Sequence, residues 1–388
     1  MTLEIAFALL DGLALGVIIL NIPPALTELM RLYGVSYTEI SVLMGALLWP
    51  HAAMQLPAGI IADRLGLRRT HLLSLACMCT GNLLPALAPL LALGIAGRMI
   101  TGVGTALAWM GTMKLLAVCA PGGRAGAYQA FFAGFFSLGS ILAYLGLPII
   151  VRAGWQWVYL TPAILCLPLL ALLPALRLPG HAGAVPSLRL RQILRTRQAW
   201  LLGSYHALSY GSMISLGNWI PALLAEVIRG RTATQLAWGG ALLMLVSGVS
   251  RLAGGFVIFR VSPLAVAHGS ILALLALFVG LSVIPAPGAV LVLALLAAWF
   301  GSINFGALFQ IASRSVAGNS LGAFLGLVNT IGNAGAVAFT VMFGWSKDSL
   351  GSFRWGFGAL ALLAAATLVA GVAGLERPKQ RDGKAECH

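Results

Sequence analysis

Long, unbroken apolar stretches fill most of this sequence and restrict its fold more than any other feature. Of the 388 residues, 60% are hydrophobic and only 9% are charged, whereas soluble domains carry about a quarter charged residues. An apolar helix of about 20 residues crosses the hydrocarbon core of a bilayer. Runs this long and continuous exclude the alternating strands of a membrane barrel. The sequence therefore predicts an all-α polytopic membrane protein.

Twelve apolar runs are long enough to be transmembrane helices. At about 20 residues each they use about 240 residues and leave short loops, a middle linker and a tail. The first run follows Glu4 rather than a basic segment, so we interpret it as a span and not as a cleavable signal peptide. The predicted spans are residues 5–29, 40–62, 71–88, 90–118, 126–151, 155–176, 199–225, 235–259, 263–285, 288–312, 321–346 and 354–375.

A weak internal repeat relates the two halves of the chain. Residues 55–64 can be laid over residues 251–260 at a constant offset of 196, and Leu, Gly and Arg then coincide at three positions. Such self-similarity predicts two pseudosymmetric six-helix halves. The predicted divisions are an N-terminal half at 1–176, a cytoplasmic linker at 177–198, a C-terminal half at 199–375 and a cytoplasmic tail at 376–388.

The formal net charge of +14 is concentrated in the loops between the apolar runs. In a soluble protein it would indicate nucleic-acid binding, but in loops it determines membrane topology. Loops after even-numbered spans and the tail hold fifteen basic residues, and loops after odd-numbered spans hold six. We therefore expect both termini in the cytoplasm of a bacterial inner or plasma membrane. The partners of the linker arginines would be membrane lipids and not nucleic acid.

Motifs for enzymatic chemistry are missing from the sequence. No glycine-rich nucleotide loop of the Walker type occurs, so we predict neither ATP use nor an enzymatic activity, and no cofactor. The five cysteines lie mostly inside apolar runs, which argues against a disulfide framework or a metal site.

A glycine and arginine motif ends the second span and carries a family resemblance. Its sequence is Gly59-x-x-x-Asp63-Arg64-x-Gly66-x-Arg68-Arg69. It resembles the signature between spans 2 and 3 of the major facilitator superfamily, and Arg98-x-x-x-Gly102-x-Gly104-x-Ala106 resembles a second motif of that superfamily. The resemblance implies the major facilitator fold, with twelve helices in two halves, and transport of a small molecule by alternating access.

The same motif has a physical interpretation that does not depend on the family. The Asp63 carboxylate, flanked by arginines, can form charge-assisted hydrogen bonds or cap a neighbouring helix. Such contacts would hold one helix against another in one conformation and release it in the other, while Gly59 permits close helix approach. The predicted conformational latch comprises Gly59, Asp63, Arg64, Arg68 and Arg69.

Four residues with ordinarily charged side chains lie inside predicted spans and away from their ends, and each is a candidate functional residue. They are Asp11, Arg98, Lys114 and Arg251. Arg251 lies near the predicted bilayer midplane, and the repeat places Gln55 opposite it. A guanidinium offers a planar fork of donors that suits carboxylate, nitrate or phosphate oxygens. Three cations against one acid favour an anionic substrate, although Arg251 could instead be a structural cation bonded to backbone carbonyls.

Asp11 is the single acidic residue inside the predicted spans and away from their ends, and it is therefore our candidate for proton coupling, together with Arg98. Asp11 could equally be the buried partner of Arg98 or of a helix N-terminus. His51, His206 and His268 are weaker candidates for a proton relay.

Two further stretches resemble the nitrate/nitrite porters of the superfamily. They are the glycine and asparagine run 326–335 in span 11, and Tyr205-His206-Ala207 in span 7. In that family two arginines hold the anion; Arg251 matches the second, whereas Gln55 occupies the position of the first. Cyanate-type porters and organic-anion carriers therefore stay open. The predicted substrate site comprises Arg251, Gln55, Tyr205, Asn304, Asn329 and Asn333.

These observations predict a secondary active transporter, a symporter or antiporter, that moves a small anion by proton coupling or by anion exchange. The alternatives are a proton-coupled drug exporter of the same superfamily and a non-transporting membrane sensor or assembly factor with this fold. A latch at Asp63 and a cavity that opens alternately to each side would favour transport, and a collapsed cavity would favour the sensor.

Overall fold

The structure is a computed structural model, and it describes most of the chain. The described residues are 2–119, 125–178, 194–228, 230–258, 260–284, 286–315 and 321–375. Most of the predicted linker and all of the predicted tail lie outside these residues. The side chain of Asp63 also lies outside the described part, although its backbone belongs to a helix.

The described part of the first half contains six α-helices and three short 3₁₀ turns. The helices are α1 (Leu3–Ile19), α2 (Leu26–Tyr33), α3 (Tyr37–Ala86), α4 (Leu91–Cys119), α5 (Ala125–Ile150) and α6 (Trp157–Leu172). α1 and α2 together form the first span, interrupted by a 3₁₀ turn at Pro23–Ala25. Prolines lack a backbone donor, so the α-helical ladder ends there.

α3 contains two predicted spans in one helical stretch. It begins with a capping box, in which the Ser36 side chain accepts from the Glu39 backbone and Glu39 returns the bond. Its two arms meet at Gly66, whose φ of 77° is accessible to glycine at little cost. The loop expected between residues 62 and 71 is thus reduced to a break at one glycine.

The second half contains eight helices, and two of its spans are built from two helices each. They are α7 (Arg197–His206), α8 (Ser212–Val227), α9 (Ala233–Val257), α10 (Pro263–Val283), α11 (Pro287–Ile303), α12 (Phe305–Ser315), α13 (Leu321–Leu350) and α14 (Arg354–Gly374). A π-helical turn at Ala207–Gly211 joins α7 to α8, and the chain breaks at Asn304 between α11 and α12.

The helices account for the predicted twelve membrane crossings. By length and composition, nine helical stretches of the described residues can cross a membrane. The two arms of α3 and the continuous rod from α7 to α8 provide the other three. The all-α, twelve-helix architecture predicted from the sequence is therefore confirmed, with most helix ends within a few residues of the predicted ones.

The two halves meet closely at the end that carries the loops after the odd-numbered spans. There the Asp348 carboxylate of α13 accepts hydrogen bonds from the backbone amides of Tyr37 (3.2 Å) and Thr38 (2.6 Å) at the start of α3. The Tyr144 hydroxyl of α5 donates to the Gly217 carbonyl of α8. These bonds join residues of different halves and close this end of the interface.

Candidate substrate and proton sites

Arg251 is a cation with few partners inside the second half. Its guanidinium lies over the ring of Phe305, with Cζ 5.4 Å from the ring centroid. Its Nε atom is buried and has no hydrogen-bond partner. Among the described residues, none forms a hydrogen bond or ion pair with this side chain, which is partly exposed. Arg251 therefore keeps its in-plane donors available to a ligand.

Four rings form a cluster beside Arg251. His206 stacks on Tyr210 with ring centroids 5.2 Å apart, and its edge meets Phe309 at 5.6 Å. Phe305 packs on Phe309 at 4.6 Å. Tyr210, Phe305 and Phe309 are partly exposed. The cluster gives the cation an apolar, aromatic surround with low dielectric, which strengthens any charge interaction made there.

The π-helical turn and the glycines of α13 position this cluster. Turns of this kind insert one residue into a helix and occur frequently at functional sites. A Cβ on Gly332 would collide with the ring of His206, and one on Gly335 would lie 2.6 Å from the Ala207 Cβ. The glycines predicted from the porter resemblance thus permit α13 to approach the turn. The His206 Nε2 atom donates to the Asn329 side-chain oxygen at 3.3 Å, and Asn333 donates to the Asn329 backbone.

Gln55 belongs to a fully buried polar chain in the first half. The Thr105 hydroxyl donates to the Gly102 carbonyl, so it accepts from His51 Nδ1 at 3.0 Å. His51 Nε2 is then an acceptor and receives the Gln55 amide N–H at 2.7 Å. The Gln55 Oε1 atom is left buried without a hydrogen-bond partner. Gln55 therefore presents an acceptor, and the structure shows no hydrogen bond from it to Arg251.

Tyr205 and Asn304 form their hydrogen bonds with other residues of the second half and not with the Arg251 guanidinium. The Tyr205 hydroxyl bonds His268 Nδ1 at 2.7 Å and packs on Gly371. The fully buried Asn304 amide donates to the hydroxyls of Ser209 and Ser270 at 2.6 and 2.8 Å. Both side chains join helices of the second half. Asn304 links the π-helical turn to α10, and Tyr205 links α7 to α10 and α14.

The aromatic cluster is the part of this region that sequence reasoning missed. The sequence predicts for His206 only a proton-relay role and predicts no role for Phe305 or Phe309. A signal existed, because His206 and Tyr210, like Phe305 and Phe309, are spaced four residues apart and so share a helix face.

Arg98 is bonded to the end of α1 and not to Asp11. Its guanidinium donates to the carbonyls of Ile18 (2.9 Å) and Ile19 (3.2 Å) and to the side-chain oxygen of Asn21 (2.8 Å). These carbonyls belong to the last turn of α1, which the helix itself leaves unsatisfied. Arg98 is thus a buried cap of α1.

Asp11 has a different partner, the Thr112 hydroxyl of α4 at 2.6 Å. The same hydroxyl lies 3.1 Å from His71 Nε2, and His71 Nδ1 lies 2.8 Å from the Leu67 carbonyl. Asp11, Thr112 and His71 are buried, and each is at most 1% exposed. His71 was not among the predicted site residues, since it follows the loop motif directly and has no charged neighbour within its span.

The predicted latch residues make their described contacts within the first half. Arg68 donates to the carbonyls of Pro174 (3.0 Å) and Leu176 (2.7 Å), just after α6. Gly59 lies against the methyl group of Met110, and Arg64 and Arg69 are exposed. In the described part of the chain, the acidic residue that bonds across the two halves is Asp348, which sequence reasoning did not identify.

Comparisons with known proteins identify a family and a partial relative. The family model described as Major Facilitator Superfamily matches residues 7–340. A curated relative, the methylenomycin A resistance protein of Bacillus subtilis (strain 168), is 28% identical over 148 residues. This match covers 38% of the present chain and 31% of the relative. The chain thus spans about a third of the length of that relative.

Several solved structures share the whole fold. A D-xylose-proton symporter superposes with a TM-score of 0.73 at 16% identity, covering 94% of this chain and 96% of that one. A bacterial homologue of the human lysosomal transporter Spinster gives 0.70 at 16%, covering 96% and 94%. The E. coli fucose:proton symporter gives 0.67 at 18%, covering 97% and 100%. At these identities the likeness concerns the fold alone.

Proposed function

The chain belongs to the major facilitator superfamily, and we propose that this membrane transporter moves a small anion by alternating access, with Arg251 as the principal binding residue. Members of the superfamily are secondary transporters and not enzymes. The two halves would be residues 1–176 and 199–375, with the linker and both termini in the cytoplasm as the distribution of basic residues predicts.

The free guanidinium of Arg251 is the observation that carries this proposal. A buried cation in a membrane helix is costly and is usually paired. Arg98 meets this requirement with three oxygens of α1 and Asn21. Arg251 has no such oxygen among the described residues and lies against the ring of Phe305. An anionic substrate would supply the missing acceptors, and stacking on the ring leaves the fork of N–H donors open for a bidentate bond.

The Gln55 side chain narrows the substrate further. His51 accepts one of the two N–H donors of the Gln55 amide, so a substrate reaching the side chain would meet the buried Oε1 acceptor, which only a substrate with a hydrogen-bond donor can satisfy. Nitrate and cyanate offer no hydrogen-bond donor, whereas a small hydroxy acid offers a carboxylate for Arg251 and a hydroxyl for Gln55. Within the anions predicted from the porter resemblance, this favours a small organic anion. Asn329 and Asn333, next to the aromatic cluster, would complete the site.

The contacts between the halves support the alternating-access part of the proposal. The bonds of Asp348 and Tyr144 close one end of the interface. Reorientation of the halves would break them and open that end. The predicted latch at Asp63 would act at the other end of the interface, and Arg68 secures the start of the second arm of α3 to the end of α6, so this corner of the first half can move as one body.

Uptake into proteoliposomes tests the proposal. Labelled nitrate, cyanate, acetate and lactate would be compared, with and without a pH gradient, in wild type, Arg251→Lys and Arg251→Ala. We expect the best uptake for lactate, a strong reduction in Arg251→Lys because the fork is lost, and background uptake in Arg251→Ala. Arg31→Ala is the matched control, since Arg31 is exposed and pairs with Glu28 three residues away. Wild-type uptake by Arg251→Ala would refute the anion site.

A second candidate function, proton-coupled drug export, is favoured by one comparison. The partial match is to a protein named for resistance to methylenomycin A. If that function applied here, expression in a drug-sensitive bacterium would raise the inhibitory concentration of apolar drugs, and Arg251→Ala would retain the effect. Loss of the resistance in Arg251→Ala would contradict export of apolar drugs and would favour an anionic substrate.

A further inference from the structure

Three helices of the first half bring Asp11, Thr112 and His71 together in a buried chain of hydrogen bonds. Asp11 comes from α1, Thr112 from α4 and His71 from the second arm of α3. The Asp11 Oδ2 atom is 2.6 Å from the Thr112 hydroxyl, which is 3.1 Å from His71 Nε2. All three side chains are enclosed, and the edge of the Phe7 ring meets His71 with ring centroids 5.1 Å apart.

The number of donors in this chain restricts its protonation. The Leu67 carbonyl can only accept, so His71 Nδ1 carries a hydrogen. The Thr112 hydroxyl has one hydrogen and lies between two groups that can each accept it. If Thr112 donates to an Asp11 carboxylate, then His71 Nε2 must donate to Thr112 and the imidazole is protonated. If Thr112 donates to His71, then Asp11 must be protonated and donate to Thr112.

These two arrangements contain the same number of protons and differ only in where one proton resides. Conversion moves the Asp11 proton to the Thr112 oxygen while the Thr112 proton moves to His71 Nε2, and no atom is gained or lost. Removal of the shared proton leaves two lone pairs facing each other and a net negative charge. Addition of another leaves a net positive charge and a hydroxyl hydrogen without its acceptor. Both are costly where the side chains are buried.

We propose that Asp11, Thr112 and His71 form a binding site for one proton, shared between the carboxyl group and the imidazole through the threonine hydroxyl. The site deepens the proton coupling predicted for Asp11 from the sequence and rests on the proposed transport function for its role. It replaces Arg98 with His71 as the partner of Asp11. It also separates the proton, in the first half, from the guanidinium of Arg251 in the second half.

The ionisable groups around the site leave this assignment intact. From α6, the thiol of Cys166 interacts electrostatically with Asp11. On α4, Lys114 is two residues from Thr112 and so points to another side of the helix. Arg98 is bonded at the far end of α1, seven residues or about 10 Å of helix from Asp11. On α1 itself, Glu4 accepts a hydrogen bond from the backbone of Arg177.

Infrared titration of the purified full-length protein tests the shared proton without any substrate. The carbonyl band of the protonated Asp11 carboxyl is identified by its loss in Asp11→Asn. We expect His71→Gln to shift the pH midpoint of this band by about one unit or more, as for strongly interacting sites. Thr112→Val should abolish that dependence on residue 71, whereas Thr112→Ser should preserve it. If Asp11→Asn does not fold, Asp11→Glu identifies the band by its change of frequency, and Thr112→Val and His71→Gln leave Asp11 in place for the measurement.

A midpoint that is equal in wild type and His71→Gln would overturn the proposal, and so would identical behaviour of Thr112→Val and Thr112→Ser.

Transport provides the second readout, with the anion of the proteoliposome panel that wild type accumulates best. His71→Gln should lose stimulation by a pH gradient and keep exchange of labelled for unlabelled anion; retained stimulation would contradict the coupling role. If wild type takes up none of these anions, the anion site fails while the infrared result still decides on the shared proton.

Discussion

Two arginines buried in the membrane show how one residue type serves different roles according to its surroundings. Arg98 donates through its two terminal nitrogens to three oxygens at the end of α1, so its charge has protein acceptors, while its Nε atom is buried without a partner as in Arg251. Arg251 lies against a ring and has no oxygen acceptor among the described residues, and the proposed anion site rests on this difference. The distinction depends on which acceptors are within about 3 Å of the guanidinium, and not on depth in the membrane.

Replacing Arg98 by Gln should destabilise the first half. The substitution leaves the carbonyls of Ile18 and Ile19 without their charged donor, and hydrogen bonds of this kind contribute about 1.5 to 3 kcal/mol each. We expect the free energy of unfolding in detergent to fall by about 2 to 4 kcal/mol, as measured by denaturant titration. Met99→Leu on the exposed side of the same helix is the control and should change little. Wild-type stability of Arg98→Gln would show that Arg98 does not cap α1.

At the scale of helices, the π-helical turn and the glycines of α13 form one unit. His206 and Tyr210 lie four residues apart across the turn, on the same side of their span, where their rings stack. Gly332 leaves the space that the His206 ring fills. A helix with larger residues there would be held away from the turn, and the aromatic cluster beside Arg251 would not form. Close packing of these two helices therefore determines the geometry of the proposed substrate site.

A pair of glycine substitutions on α13 separates this packing effect from helix propensity. Gly332→Ala should lower the free energy of unfolding by about 1 to 3 kcal/mol, because the new methyl group collides with His206. Gly326→Ala has no neighbour within 4 Å and should be neutral or stabilise by up to about 1 kcal/mol. Thermal unfolding of the two variants measures the difference. Equal effects would mean that α13 does not pack on the turn as described.

At the scale of the whole molecule, Asp348 links the two halves by capping a helix. It lies near the end of α13 and accepts from the first backbone amides of α3, where the helix dipole favours a negative charge. The aromatic rings of Tyr37 and Trp219 pack nearby with centroids 5.8 Å apart. The contact exists only while this end of the interface is closed, so it stabilises that conformation over the alternative one.

Asp348→Asn should shift the conformational equilibrium towards the open state at this end. Loss of a charged cap costs about 1 kcal/mol, which corresponds to about a fivefold change in the ratio of the two conformations. A single cysteine at Ser41, which is fully buried behind this contact, reports the change as faster labelling by a thiol reagent. The measurement uses a variant that lacks the native cysteines.

Lys347→Gln is the matched control for this experiment. Lys347 is the neighbour of Asp348 and pairs at 2.8 Å with Glu226, which belongs to the same half. Its loss should leave the labelling of Ser41→Cys unchanged, because no contact between the halves is broken. An unchanged rate in Asp348→Asn as well would indicate that the cap does not influence which end is open.

Much of the fold was predictable because the signals are local. Predicted spans such as 90–118 and 126–151 lie within one residue of α4 and α5 at their ends. The candidate site was less predictable. Tyr205 was chosen from the porter resemblance, yet its neighbour His206 stands beside Arg251, and one residue along a helix rotates a side chain by about 100°. A histidine such as His71 cannot be recognised from its flanking residues, because its partners come from α1 and α4.

The sequence by itself determined the number of crossings, the family and the intramembrane charges, since bilayer thickness fixes helix length and the cost of buried charge selects few residues. The tertiary structure decided what each charge does. Arg98 bonds the carbonyls of α1, and Arg251 lies against a ring. Asp11 bonds a threonine, which in turn bonds a histidine. These outcomes depend on the rotation and spacing of helices distant in sequence, which no local pattern specifies.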